Sequence, residues 1–277
     1  KKDLYNFHLN NIVFTGADVK KRVTDKRNVA EELKLQPLIA IFKDRTVRPD
    51  TASKIGQYPN QLLRELKTPI DLKTVKLING NVLYKERGAI SKKTGDVVFT
   101  KINMTISNLT NINSYTKTDP MMAVNVSCKF LDMADITSIW RLPLNPQNGE
   151  FNISGKVGSF DGTKLNPVTE PLGMGSIKSG NIRSYNFNLN GTDVAGSGDA
   201  LLLYDRLKIK LLKNTGDSNN LEQKTVTNLL ANILIKDKNP AQGFTRKGNL
   251  KFSRDMKKSF YNLVWKSIFA GAKSSLR

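Results

Sequence analysis

The sequence predicts a mostly-β α+β fold: an antiparallel sheet with a few helices, one of which closes the chain. Three observations carry that prediction. Residues 72–111 read as two strands joined by a lysine- and glycine-rich turn over 88–95, with Val75, Leu77, Val82 and Tyr84 marking the first. In the second, Val98, Ile102, Met104 and Ile106 alternate with Phe99, Lys101, Asn103 and Thr105, the period of a strand with one buried face. Further strand-like runs follow at similar spacing with short turns, which favours antiparallel pairing over βαβ crossovers.

In chain order, residues 4–15 read as one long strand or a strand pair with a break at Asn10-Asn11. Residues 16–27 form a polar, basic loop, and 33–42 a strand in which Pro37 argues for an edge or a bend. Residues 58–66 predict a short helix carrying Leu62, Leu63 and Leu66 on one face and ended by Pro69. Strands follow at 122–130, where Val124, Val126 and Phe130 alternate with polar residues, and at 151–157. Residues 165–172 read as a short turn or helix, 177–189 as a strand and 191–198 as a glycine-bearing turn. In 201–211, Leu207, Ile209 and Leu211 oppose Lys208 and Lys210. A helix is expected over 221–235 and a last strand over 244–252. Residues 255–272 predict a basic amphipathic helix. Its apolar stripe comprises Met256, Phe260, Leu263, Val264 and Ile268, widened by Tyr261, Trp265 and Phe269; Lys257, Lys258, Lys266 and Lys273 supply its charge.

The chain has 277 residues, with 39% hydrophobic and 25% charged, enough for one elongated domain with its own core. A sub-boundary is a candidate near 56–70. The balance of 44 basic against 24 acidic residues gives +20, which raises encounter rates with anionic partners. The basic residues are dispersed, as on a solvated surface. No run of about 18 apolar residues occurs, so no helix is expected to span a membrane. The opening Lys1-Lys2-Asp3 starts in mid-pattern, which suggests a portion of a longer protein.

Catalytic chemistry finds little footing. His8, the one histidine, alternates with Phe7 and Leu9 as an ordinary strand residue. The one cysteine, Cys128, shares a face with Val124 and Val126, as a buried inert thiol would, and the chain lacks the Cys and His ligands of a zinc site. Neither a metal nor a cofactor is expected. The pairs Asp132/Asp135 and Asp193/Asp199 lie near expected turns, where aspartate is common. Residues 191–198 lack the Lys-Ser/Thr ending of a phosphate loop. Five Asn-x-Ser/Thr triplets fall largely inside strands and carry no inference of glycosylation. Nucleic acid is disfavoured as a partner: Tyr185 and Phe187 with Arg183 make the best stacking platform, but other aromatics fall in with aliphatic residues.

Several patterns resemble the AsmA-like family of bacterial envelope proteins. They are Asn79-Gly80-x-Val82-x-Tyr84-x-Glu86, Gly95-x-Val97-x-Phe99-x-x-Ile102, Asn108-Leu-Thr-Asn111, Phe151-x-Ile153-x-Gly155-x-Val157-Gly158, Leu165-Asn-Pro-x-x-Glu-Pro-Leu172 and Ile177-Lys-Ser-Gly180. The ending over 259–276 is similar to the C-termini of Bacteroidetes-type members, and the similarity runs from about Tyr58 onward. The resemblance implies a strongly curved sheet forming an apolar groove, held in the periplasm by an N-terminal inner-membrane helix that precedes this chain. It also implies a non-enzymatic role in carrying phospholipid or another envelope lipid between membranes, contributing to outer-membrane homeostasis.

On this expectation the groove is lined by Val98, Ile102, Met104, Ile106, Val124, Val126, Phe130, Leu207, Ile209 and Leu211. Core packing is the alternative for each. The terminal helix, through Phe260, Val264, Trp265, Ile268, Phe269, Lys257, Lys258 and Lys266, either lies on an anionic membrane surface or caps the sheet. The rival function is a scaffold or assembly factor that engages outer-membrane or other envelope proteins by edge-strand pairing.

Overall fold

The structure, a computed structural model, describes residues 3–47, 51–89, 91–145, 148–172, 175–210, 235–241 and 243–277. It is mostly β: one large, curved sheet that does not close, with a few short helices and a longer C-terminal one. The long strands are β1 (Leu4–Thr15), β2 (Asn28–Asp44), β3 (Ile70–Arg87), β4 (Thr94–Thr110), β5 (Met121–Phe130), β6 (Ala134–Pro143), β7 (Phe151–Val157), β9 (Ser176–Gly191) and β10 (Ala195–Lys210). Two-residue strands β8 (Phe160–Asp161), β11 (Gly248–Asn249) and β12 (Phe252–Ser253) sit at their margins. The helices are α1 (Val19–Thr24), α2 (Pro59–Arg64), α3 (Asn113–Thr118), α4 (Asn166–Thr169) and α5 (Phe260–Ser275).

The sheet order is β1-β2-β3-β4-β5-β6-β7-β9-β10-β11, and neighbours are antiparallel with one exception. Strands β2 and β3 run parallel, because residues 45–69, carrying α2, return the chain to the starting end of the sheet. Strand β6 was not expected. The expected strand over 244–252 is instead two separate bridges to β10. Of the three leucines expected on one face of the 58–66 helix, Leu63 is buried while Leu62 and Leu66 are exposed, and α2 packs instead through Asn60, Gln61 and Leu63. Of the helix expected over 221–235, residues 221–234 lie outside the described residues, as does Leu211.

A line of irregularities crosses the first four strands. The registers of β1–β2, β2–β3, β3–β4 and β4–β5 shift at Asn10/Val13, Leu35/Leu38, Leu77/Gly80/Val82 and Thr100/Asn103. Asn11, Asn79 and Lys101 take left-handed conformations there, at φ of 53°, 49° and 49°. β2 meets the line with Pro37, whose ring would lie 2.9 Å from a Cβ at position 80, so that position needs glycine. Side-chain amides bridge the strands along this crease. Asn11 donates to Gln36 (3.2 Å), Gln36 to the Asn79 carbonyl (3.2 Å), and the Asn79 N–H donates to Asn103 Oδ1 (3.2 Å). Each extra residue reverses which side chains face which side.

The reversal keeps one face apolar throughout. Beyond the crease, Phe14, Leu33, Val75, Ile106, Val124 and Trp140 stand in one cross-strand row. Before it, the row is Phe7, Ile39, Val82, Phe99 and Phe130, with Tyr5, Ile41, Tyr84 and Val97 beside it.

Helix α5 packs on this face over β9 and β10, burying Phe260, Leu263, Val264, Ser267, Gly271 and Ser275. Small residues let it come close. A Cβ on Gly248 would fall 2.1 Å from the Gly271 carbonyl oxygen, and one on Gly271 would be 2.9 Å from Tyr185 Oη and 3.0 Å from Ala200. The main core gathers Tyr58, Leu142, Phe151, Ile153, Tyr185, Leu189, Leu202, Tyr204 and Leu250 around Phe260 and Leu263. Arg254, just before α5, ties the parts together: it donates to the Asp193 and Lys54 carbonyls (3.0 and 2.7 Å) and lies 4.5 Å from the Tyr58 ring centre.

Candidate functional site: an apolar trough

Helix α5 covers only part of the apolar face. Over β6–β10 that face is core. Beyond the crease, β2–β4 hold a second core in which Ala30, Leu72 and Val75 are buried with Leu33 and Leu77 against them, and only β1 is bare, with Phe14 55% exposed. Before the crease the row emerges into solvent: Phe7 is 59% exposed and Tyr5 52%, while Ile39, Ile41, Val82, Tyr84 and Phe99 are half-buried. Tyr5 and Phe7 stack at 6.2 Å, and Phe99 lies 5.5 Å from Phe130.

The sheet is curved and does not close. The turn between β3 and β4 meets the segment around α4: a Cβ on Gly88 would touch the Pro171 carbonyl, and one on Gly95 would lie 3.4 Å from the Val168 carbonyl oxygen. Ser91 donates to the Pro171 carbonyl. Tyr261 lies beside Trp140 and Phe260, with ring centres 6.4 and 5.4 Å away. It is 60% exposed, yet burial pushes its phenol above the ordinary range. Trp265, also exposed, stacks on Phe269 at 6.5 Å.

A charged group stands at the end of β3, on the apolar face. Glu86, nearly buried, accepts a hydrogen bond from Tyr84, and its Oε1 lies 2.5 Å from Arg45 Nη2 in an ion pair not aligned as a hydrogen bond. Burial lowers the pKa of the Lys266 ammonium on α5; Arg45 lowers it further, Glu86 opposes and Lys258 adds to the lowering. Burial also drives the Tyr84 phenol far above its usual range, with Glu86 adding to the effect.

The predicted lining residues divide. Ile102, Val124, Phe130 and Leu207 are buried on the apolar face, and Met104, Ile106, Val126 and Ile209 pack half-buried against the core. Val98 is on the opposite face: the extra residue Lys101 puts Phe99 in its place, opposite Val82 and Phe130. Val98 instead borders a shallow depression with Asn6, His8 and Leu83. Of the helix residues, Phe260 and Val264 are buried against the sheet, Ile268 packs against the core, and Trp265 and Phe269 turn away from the buried stripe. Lys257 is exposed, Lys258 and Lys266 half-buried.

Sequence reasoning missed Tyr5, Phe7, Ile39, Ile41, Val82, Tyr84 and Phe99 as one surface. The alternation of Tyr5, Phe7 and Leu9 was the available signal, but joining it to Val82 and Phe99 needs the register.

The opposite face is mixed, with Leu38, Leu83 and Val98 over β2–β4 and polar residues between β4 and β7. Between β4 and β7 it holds an open depression of about 570 Å³ bordered by Asn103, Thr105, Asn125, Ser127, Thr137 and Lys156. Cys128 is half-buried, and burial pushes its thiol up to about 11. Among the described residues no group of three or more His, Cys, Asp or Glu could hold a metal, and no helix is long and apolar enough to cross a membrane; the latter says nothing of β-barrels. No family model, no curated protein and no solved structure matches the chain.

Proposed function

We propose that the chain is a non-enzymatic lipid-binding module whose trough shelters acyl chains from water. The observation that carries this reading is the continuity of the apolar face: rows that form the core under α5 run on across the sheet into the exposed row of Phe7, Ile39, Val82 and Phe99. Each buried methylene is worth about 0.8 kcal/mol, whereas association costs roughly 4–15 kcal/mol in lost freedom. A chain of about eight carbons would gain roughly 6 kcal/mol and be held poorly; one of about sixteen would gain roughly twice that. The trough therefore suits the long tails of membrane lipids. The strand-and-turn motifs similar to the AsmA-like family support placing this activity in the bacterial envelope, as phospholipid transfer from the periplasmic side.

Native mass spectrometry of the purified chain, with binding of a fluorescent long-chain fatty acid, tests the reading. Lipid should co-purify, and Val82→Lys, which puts a charge in the middle of the row, should abolish binding while leaving the circular dichroism spectrum unchanged. If the native chain carries no lipid and shields no acyl probe, the reading fails.

One observation favours the scaffold alternative. β1 is an edge of the sheet, has no charged residue over its length, and so lacks the usual guard against strand addition. Capture of a partner strand by β1, with no acyl binding, would select that function.

A further inference from the structure

Strand β1 is the last strand on its side of the sheet, so half of its backbone N–H and C=O groups point away from β2 along a free edge. All twelve of its residues are exposed. Edges of this kind are ordinarily guarded by lysine. Yet a chain with 44 basic residues places none between Leu4 and Thr15, and no acidic residue either. The opposite margin differs, because β10 is joined there by the short strands β11 and β12.

The regular part of β1 has nearly the same polarity read in either direction. Before the register break at Asn10/Val13 it runs Leu4-Tyr-Asn-Phe-His-Leu-Asn10, with Phe7 at its centre. In an antiparallel pair, directly opposite residues share a face. Two copies placed about a two-fold axis through Phe7 therefore set Phe7 against Phe7 and Tyr5 against Leu9 on the apolar face. On the other face Asn6 meets His8, an amide against an imidazole, and only the outermost pair, Leu4 with Asn10, is mixed. Neighbouring registers fit worse. An axis through His8 sets Tyr5 against Asn11, whose φ of 53° leaves the strand conformation. An axis through Asn6 sets Leu9 against Asp3, already paired with Lys43 at 3.2 Å.

We propose that this edge pairs with β1 of a second copy of the chain, antiparallel and centred on Phe7, so that the sheet runs on through a two-fold dimer. Tyr5, Phe7 and Leu9 are each more than half exposed, and in the pair they cover their counterparts while backbone groups on the free edge find partners. No like charges are brought together along the paired segment. Each copy contributes one β1, so the assembly closes at two. The pairing does not depend on acyl binding.

Sedimentation equilibrium of the full chain tests it, at about 100 µM, above the micromolar dissociation constants of small interfaces, and with salt enough to screen the repulsion of two copies of charge +20. The mass should be about twice the 30.9 kDa of one copy. Phe7→Lys sets two ammonium groups opposite each other and should weaken the dimer at least about tenfold, with an unchanged circular dichroism spectrum because the site is exposed. In a Cys128→Ala background, oxidation should cross-link Phe7→Cys into a dimer. It should not cross-link Leu4→Cys, whose two copies would stand six residues, about 20 Å, apart along the strands. A native chain that stays monomeric overturns the proposal, whether or not β1 captures some other strand. A dimer that survives Phe7→Lys, or that cross-links through Leu4→Cys and not Phe7→Cys, overturns the assignment to this register. A ladder of higher oligomers overturns the two-fold closure.

Discussion

Replacing Phe260 with alanine tests whether α5 is held on the sheet by the aromatic cluster at its first turn. The Phe260 ring is buried and meets Tyr58 at 4.8 Å and 62°, Phe151 at 4.9 Å and 76°, and Tyr261 at 5.4 Å and 75°, all edge-to-face; Trp140 stands at 6.1 Å. A buried Phe→Ala change costs about 3–5 kcal/mol. Each edge-to-face pair adds about 0.5–1.5 kcal/mol beyond area, so three such contacts place this site in the upper half of that range. At roughly 2–4 °C per kcal/mol for a chain of this size, Tm should fall by about 8–20 °C in scanning calorimetry. Phe260→Leu, which keeps most of the volume but loses the ring geometry, should cost about half as much. The double variant with Phe151→Ala should be less damaging than the sum of the two by about 1 kcal/mol, because one ring contact is counted twice. A loss below about 1.5 kcal/mol for Phe260→Ala, or strict additivity with Phe151→Ala, would refute the cluster as the anchor of α5.

Two further outcomes follow from local geometry. Gly248→Ala should destabilise by about 1–3 kcal/mol in urea titration, since its Cβ would meet a backbone oxygen of α5 that cannot step aside; unchanged stability would mean that α5 does not approach β11 so closely. The Cys128 thiol is raised from 9.0 to about 11, so the folded protein keeps a proton that the unfolded chain releases between those values. Its contribution is therefore fully present below about pH 9 and lost as pH climbs toward about 11. Unfolding free energies measured across that window should fall less steeply in Cys128→Ala than in the native chain, and parallel curves would contradict the assignment.

The central hairpin is legible in the sequence because Val75, Leu77, Val82 and Tyr84 on β3, and Ile102, Met104 and Ile106 on β4, are good strand formers on either side of an obvious turn. Which of them share a face is not legible. Strict alternation groups Val98 with Ile102, and only the left-handed Lys101 sets them apart; lysine gives no hint of that conformation, whereas Asn79-Gly80 does. Strand β6 escapes notice for a related reason. Its inward series is Ile136, Ser138, Trp140 and Leu142, and a serine breaks the pattern. Ser138 is accommodated because its hydroxyl donates to the Ser154 carbonyl at 2.7 Å and accepts from Trp140 Nε1 at 2.9 Å. The parallel pairing of β2 with β3 hides behind the rule that short turns make antiparallel neighbours, a rule that residues 45–69 are too long to obey.

The trough is legible least of all, since it consists of what the helix does not cover. Residues such as Phe99 and Phe130 carry the same pattern as Val124 and Ile153, yet α5 lies over β9 and β10 and leaves β1 bare. Were the bare half only unfinished core, Tyr5, Phe7, Leu9 and Phe14 would each forgo roughly 1.5–3 kcal/mol of burial for no return. Polar residues there would leave the fold intact, because the crease of Asn11, Asn79 and Lys101 sets the strand faces without them. The apolar rows are thus not required by the sheet's own geometry. The exposed row over β1 is the surface on which the proposed acyl chain would lie.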